Sequence, residues 1–133
     1  MLEPIEIPVS AGELVDKITI LELKIRHLQG PALANVQREL TLLSDRLVAA
    51  NLAIEPSALA ELRQVNSQLW QVEEALRALE QQQSFNTKFI DLARSVYRLN
   101  DHRASIKRHI NAHIGSVLIE EKSYTPFPAD PQP

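Results

Sequence analysis

Along two stretches of this chain, apolar residues recur in alternating steps of three and four: Leu33, Val36, Leu40, Leu43 and Leu47, then Leu62, Val65, Leu69, Val72, Leu76 and Leu79. That rhythm is a heptad seam, the stripe along which helices pack side by side, and it commits the middle of the chain to helix. Between the seams, "ANLAIEPS" is short and Pro56 suits a first helical position, so residues 31–82 are expected to form an antiparallel hairpin.

Two more helices flank this hairpin. In "SAGE", Ser10 is followed three residues later by Glu13, the capping-box spacing that satisfies free N–H groups of a first turn. Leu14, Ile18, Leu21, Ile25 and Leu28 carry that helix over residues 10–29, where Gly30 and Pro31 end it and start the next. "QQQSFN" interrupts the second seam, with Ser84 or Asn86 able to cap a last helix over 86–114 that Gly115 terminates. Residues 5–9 alternate like an extended segment, but Pro4 and Pro8 restrict it to an edge; pairing with Val117–Ile119 would bring the two ends together. The expected fold is all-α, an antiparallel bundle of about four helices with short extended ends. A single domain over 1–124 is followed by a Pro-rich extended tail, 125–133.

Composition narrows the chemistry. No cysteine is present, which removes thiolate nucleophiles, thiolate metal sites and disulfides and fits a cytoplasmic location. The net charge of -3 gives no general attraction to nucleic acid or an anionic membrane. No apolar run approaches the roughly 20 residues of a membrane span. Three scattered glycines cannot build a phosphate-cradling loop, and no catalytic motif surrounds Ser95 or Ser105. No cofactor is expected.

The last helix carries the anomaly. On a wheel of 100° per residue, Phe89, Val96, Ile110 and Ile114 define its dry side, yet Lys107 points the same way and Asn100, Arg103 and Asn111 lie within about 40° of it. A buried cation without a partner costs several kcal/mol, so these groups are paired, wet or bound to something. Candidate partners are Glu13 and Asp16, with Lys17 beside them, the flank of the second seam with Asn66, Trp70, Glu73, Glu74 and Arg77, and Glu120 and Glu121 beyond the helix. The simpler reading is an internal network that fixes helix register. The sharper one is an interhelical cleft where Arg103 and Lys107 receive an anion, Asn100 and Asn111 orient it, and Trp70 or Tyr97 forms a wall. A third is an interface with another chain, because Ile20 and Leu23 lie off the main stripe of the first helix and imply a second apolar contact.

His109 and His113 have an i, i+4 spacing that can hold a metal, but His102 is about 10.5 Å from His109 along the axis and no nearby carboxylate completes a set, so no metal is expected. Residues 91–113 hold five Arg or Lys against two Asp. Their acids are interleaved with the bases at pairing distances, and no exposed aromatics stand among them, which disfavours nucleic acid.

The strings "SAGELVDKITILELK", "LWQVEEALRALE", "FIDLARSVYRLNDHRASIKRHIN" and "EEKSY" together resemble a family of small bacterial proteins carrying a domain of unknown function, over about residues 5–124. The family pattern includes Glu13, Asp16, Lys17, Trp70, Arg94, Asn100, Asp101, Arg103, Lys107, Asn111, Glu121, Lys122 and Tyr124, and has an acid where this chain has Asn86. The resemblance implies an association with glycosyltransferase and surface-polysaccharide systems and no established activity. The reading of the whole is a non-catalytic binding or scaffolding module, a homodimer or the partner of another protein. The alternative is a small anionic-ligand protein or enzyme whose site draws on Glu13, Asp16, Lys17, Trp70, Glu74, Arg77, Tyr97, Asn100, Arg103, Lys107 and Asn111.

Overall fold

The computed structural model describes residues 2–128. Its regular structure is four helices, α1 (Ala11–Ile25), α2 (Gly30–Ala50), α3 (Pro56–Gln81) and α4 (Thr87–Ile114), so the chain is all-α. Local chemistry sets the boundaries. Ser10 Oγ accepts from the Glu13 N–H at the start of α1, and Asn86 Oδ1 accepts from the Phe89 N–H at the start of α4. Pro31 and Pro56 occupy first turns, where a missing N–H is harmless. Asn51 (φ 52°) and Gly115 (φ 71°) end α2 and α4 in the left-handed conformation, and after Gly115 the Ser116 N–H closes on the Asn111 carbonyl at 2.8 Å.

The pairing of helices differs from the expectation. α2 packs along α1 alone and approaches neither α3 nor α4; the long hairpin is α3 with α4. Asn51 in its left-handed turn, with the residues up to Glu55, leads the chain away from α2. α1 thereby becomes the central helix, touching all three others. On one side Val15 joins Ala58, Leu62, Val65, Leu69, Ile106 and Ile110 in the main core. Ile18, Leu21 and Leu23 are buried as well, outside that cluster. Of the two residues that implied a second apolar contact, Leu23 is buried within the chain and Ile20 is half-buried. α2 itself buries no residue, and its seam is only half covered.

The ends do not pair. No strand forms among the described residues, and Ile5, Ile7, Val117 and Ile119 are exposed. Pro4 and Pro8 withhold two of the donors that a ladder there would use. Glu6 instead pairs with Arg46 of α2. The start of the Pro-rich tail is anchored: the Phe127 N–H donates to Asp101 Oδ2 at 2.6 Å, and the Arg94 guanidinium lies 5.7 Å from the centre of the Phe127 ring. Residues 129–133 of that tail lie outside the described residues.

Candidate functional site

The polar stripe of α4 meets the first two turns of α1 and one residue of α3. Lys107 is 9% exposed, and its Nζ donates to Glu13 Oε2 and Glu120 Oε2, both at 2.7 Å, with Asp16 Oδ2 at 3.7 Å. One turn further, Asn111 Oδ1 accepts from the Gly12 N–H at 2.7 Å, filling one of the donors that a first helical turn leaves open. One turn back, Arg103 donates from Nη1 to Asn66 Oδ1 at 3.1 Å and from Nη2 to Asn100 Oδ1 at 2.8 Å. Asn66 Nδ2 in turn donates to Asp16 Oδ1 at 2.8 Å and Thr19 Oγ1 at 2.9 Å, while the Thr19 hydroxyl donates to the Asp16 carbonyl. Among the described residues no buried side-chain nitrogen or oxygen lacks a partner. A network whose buried atoms are all partnered locks the register of three helices.

Gly12 makes the approach of α1 to α4 possible. A Cβ there would sit 2.6 Å from the Lys107 carbonyl oxygen and 3.0 Å from Asn111 Oδ1, so only glycine lets the helix backbones come this close. Glu13 completes only half of the expected capping box. Its backbone N–H is capped by Ser10, but its carboxylate is drawn to Lys107, the stronger, charge-assisted partner.

Six of the eleven residues singled out in the sequence come together here: Glu13, Asp16, Asn100, Arg103, Lys107 and Asn111. Five do not. Lys17 faces solvent one position past Asp16. Trp70 stacks on His27 at 4.5 Å between ring centres, at the far end of α1. Glu74 and Arg77 are exposed on α3, and Tyr97 is 61% exposed on α4. The site also uses Gly12 and Thr19, which the sequence reading passed over, and Asn66, noted only as a flank residue. Gly12 carries no side chain to follow, and Thr19 is a lone polar residue in an apolar stretch.

Charge follows from the geometry. The hydrogen bond from Lys107, then the one from Lys122, hold Glu120 down from the ordinary 4.5 to about 2. Burial pushes the Lys107 ammonium down, but the hydrogen bonds to Glu120 and Glu13 and the charges of Glu13 and Asp16 outweigh it, so its pKa lies above the usual 10.5. Lys107 is therefore a fixed cation and no general base. Because Glu120 is lowered on folding, its contribution to stability is present above pH 4.5 and fades as the pH falls toward about 2. The Lys107 contribution is full below 10.5 and is lost only as the pH rises through its higher folded value. Urea unfolding of wild type and Glu120→Gln across this range is expected to give a stability gap that is steady near neutrality and narrows below pH 4.5. A gap that survives acidification contradicts the pairing.

Beside the network, Asn100, Arg103, Ala104, Lys107, Lys122 and Tyr124 line a cavity of about 210 Å³ between α4 and the segment that follows it. At the other side of α4, Glu55 Oε1 lies 2.8 Å from His113 Nδ1 and 3.4 Å from His109 Nε2. The fold thus brings a carboxylate to the histidine pair where the sequence showed none nearby. No group of three His, Asp or Glu among the described residues has an arrangement that holds a metal ion.

These features define a small all-helical domain with a half-buried ionic centre and an open cationic cavity beside it. A family model described as "Family of unknown function (DUF6165)" matches residues 5–133, and the chain belongs to that family. No curated protein and no solved structure matches it. Among the described residues no helix is long and apolar enough to cross a membrane.

Proposed function

We propose that the protein is a non-catalytic helical binding module that pairs with a second copy of itself through the distal half of the α3–α4 hairpin. One observation carries this reading. No residue from 70 to 105 is buried, although Val72, Leu76, Leu79, Phe89, Leu92, Val96 and Leu99 recur there at helical spacing. Val96 and Leu99 lean on the main core and Phe127 touches α4 at Arg94 and Asp101, but the stripe as a whole stays half-exposed on both helices, which is what a four-helix bundle closes. Phe85 and Ile90 remain more than half exposed at its tip, and a groove of about 560 Å³ runs beside Val72, Leu92 and Leu99.

The flanking charges favour a second copy over an unrelated partner. On distal α3 three glutamates, Glu73, Glu74 and Glu80, stand against Arg77; on α4, Lys88, Arg94 and Arg98 stand against Asp91. All eight are exposed, and none takes part in an ion pair among the described residues. In a two-fold pair the acidic α3 of each copy lies beside the basic α4 of the other, so one patch complements itself. Light scattering after size exclusion is expected to give twice the chain mass and a melting temperature that rises with concentration. Leu76→Glu is expected to yield a monomer that keeps its helical circular dichroism. A wild-type monomer at high concentration rejects the proposal, and so does a dimer indifferent to Leu76→Glu.

A further inference from the structure

Independently of that pairing surface, we infer that the cavity at Arg103 is an oxyanion site, built to take a phosphate group. Most of the charges around this cavity are already neutralised. Glu13 and Asp16 are both turned to Lys107, and Glu120 is shared between Lys107 and Lys122. Arg103 differs. It makes no ion pair among the described residues and rests on two neutral amide oxygens, those of Asn66 and Asn100. A guanidinium has five N–H donors, and only two are used.

The lining of the cavity extends the point. It contains two lysines, an arginine, an asparagine and a tyrosine, and no carboxylate. Asn100 Oδ1 accepts from Arg103, which fixes the amide and leaves its NH2 as a donor. Lys122 has given one of three donors to Glu120, and the Tyr124 hydroxyl adds another. Four donor-bearing groups thus surround one space whose nearest acid, Glu120, is already paired with the two lining lysines. That lining suits an occupant that accepts from several directions with net negative charge. A planar carboxylate offers two oxygens; a phosphate monoester offers three around a tetrahedral centre, one of which the arginine fork can share. At about 210 Å³ the space falls below the roughly 300–1,000 Å³ of sites that enclose drug-sized ligands, so it holds an anionic head group and little of what carries it.

The walls belong to different parts of the chain. Arg103 and Asn100 stand on α4 in the register set by Asn66 and Asp16, while Lys122 and Tyr124 come from the segment after α4. Glu120 to Lys107 and Glu121 to Arg108 tie that segment down. The ionic centre is thus the floor on which the cavity is built.

Isothermal titration of the full chain with inorganic phosphate and with glycerol 3-phosphate, against acetate at matched ionic strength, tests the assignment. Both phosphates are expected to bind and acetate to bind at least tenfold more weakly. Tighter binding of glycerol 3-phosphate identifies an ester as the occupant, and equal binding identifies the free oxyanion. Arg103→Gln is expected to weaken phosphate at least tenfold. Because that change also touches the network, Lys122→Gln and Tyr124→Phe, both at exposed positions, serve as second variants, each expected to weaken binding severalfold, with the melting temperature of Tyr124→Phe unchanged and that of Lys122→Gln lowered only by the loss of its pairing with Glu120. No heat with either phosphate up to about 10 mM, ten times the Kd of a 1 mM site, overturns the inference. Acetate binding equal to phosphate, or phosphate binding unchanged in all three variants, overturns it too.

Discussion

Lys107→Met is expected to lower the unfolding free energy by about 3 kcal/mol, as read by urea denaturation at neutral pH. Methionine fills nearly the same volume, so the loss is electrostatic and not a cavity. Removing the ammonium leaves Glu13, Asp16 and Glu120 converging on one point, with Asp16 buried and its nearest cation gone. Removing one partner of a buried ion pair costs about 3–5 kcal/mol. The lower end applies because Glu13 and Glu120 are each about a third exposed and can turn to water. The deficit is expected to shrink on acidification, as the stranded carboxylates protonate and their repulsion disappears. A neutral or stabilising Lys107→Met at neutral pH means that this centre does not hold the helices.

Gly12→Ala is expected to destabilise the protein by about 2 kcal/mol, against the sign that helix propensity gives. Inside a helix, alanine is favoured over glycine by about 1 kcal/mol. At this position the new methyl carbon meets the Lys107 carbonyl oxygen at 2.6 Å. That oxygen belongs to the middle of α4 and has no rotamer to escape by, so α1 must lift away. Overpacking of this kind costs about 1–3 kcal/mol, and the Gly12 to Asn111 bond, worth about 1 kcal/mol, stretches with it. Trimming the other neighbour does not help: Asn111→Ala removes the 3.0 Å contact but not the 2.6 Å one, so the double variant is expected to stay at least as unstable as Gly12→Ala. Thermal unfolding of the single and double variants checks both statements.

What the sequence made legible, and what it did not, follows from the reach of periodicity. Asn100, Arg103, Lys107 and Asn111 sit on one regular helix, so their common direction is arithmetic. Glu13 and Asp16 fall at a helix start, close enough to be proposed as partners. The heptads of α2 and α3 show that each helix is packed but not against which neighbour. The links at residues 26–29, 51–55 and 82–86 are all short, and α2 and α3 are the consecutive pair that does not meet. The same blindness placed Glu74 and Arg77 in the site: flank position is readable, but how far α3 outruns α1 is not. Asn66 looks like any polar flank residue until the fold sets it between Asp16 and Arg103. Lys122 and Tyr124 lie past the last helix, where no period exists to orient them.

The central position of α1 also bears on the order in which the chain assembles. Its partners Lys107 and Asn111 lie 94 and 99 residues away along the chain, whereas α3 and α4 are joined by a short link. Loop closure over such a separation is entropically costly and comes late, while local hairpins form early. During synthesis, which starts at the N-terminus, α1 emerges before its binding place has been made, with only α2 to shield its apolar side. α1 is thus made before α3 and α4 but seated after they have paired, and until then α2 serves as its escort.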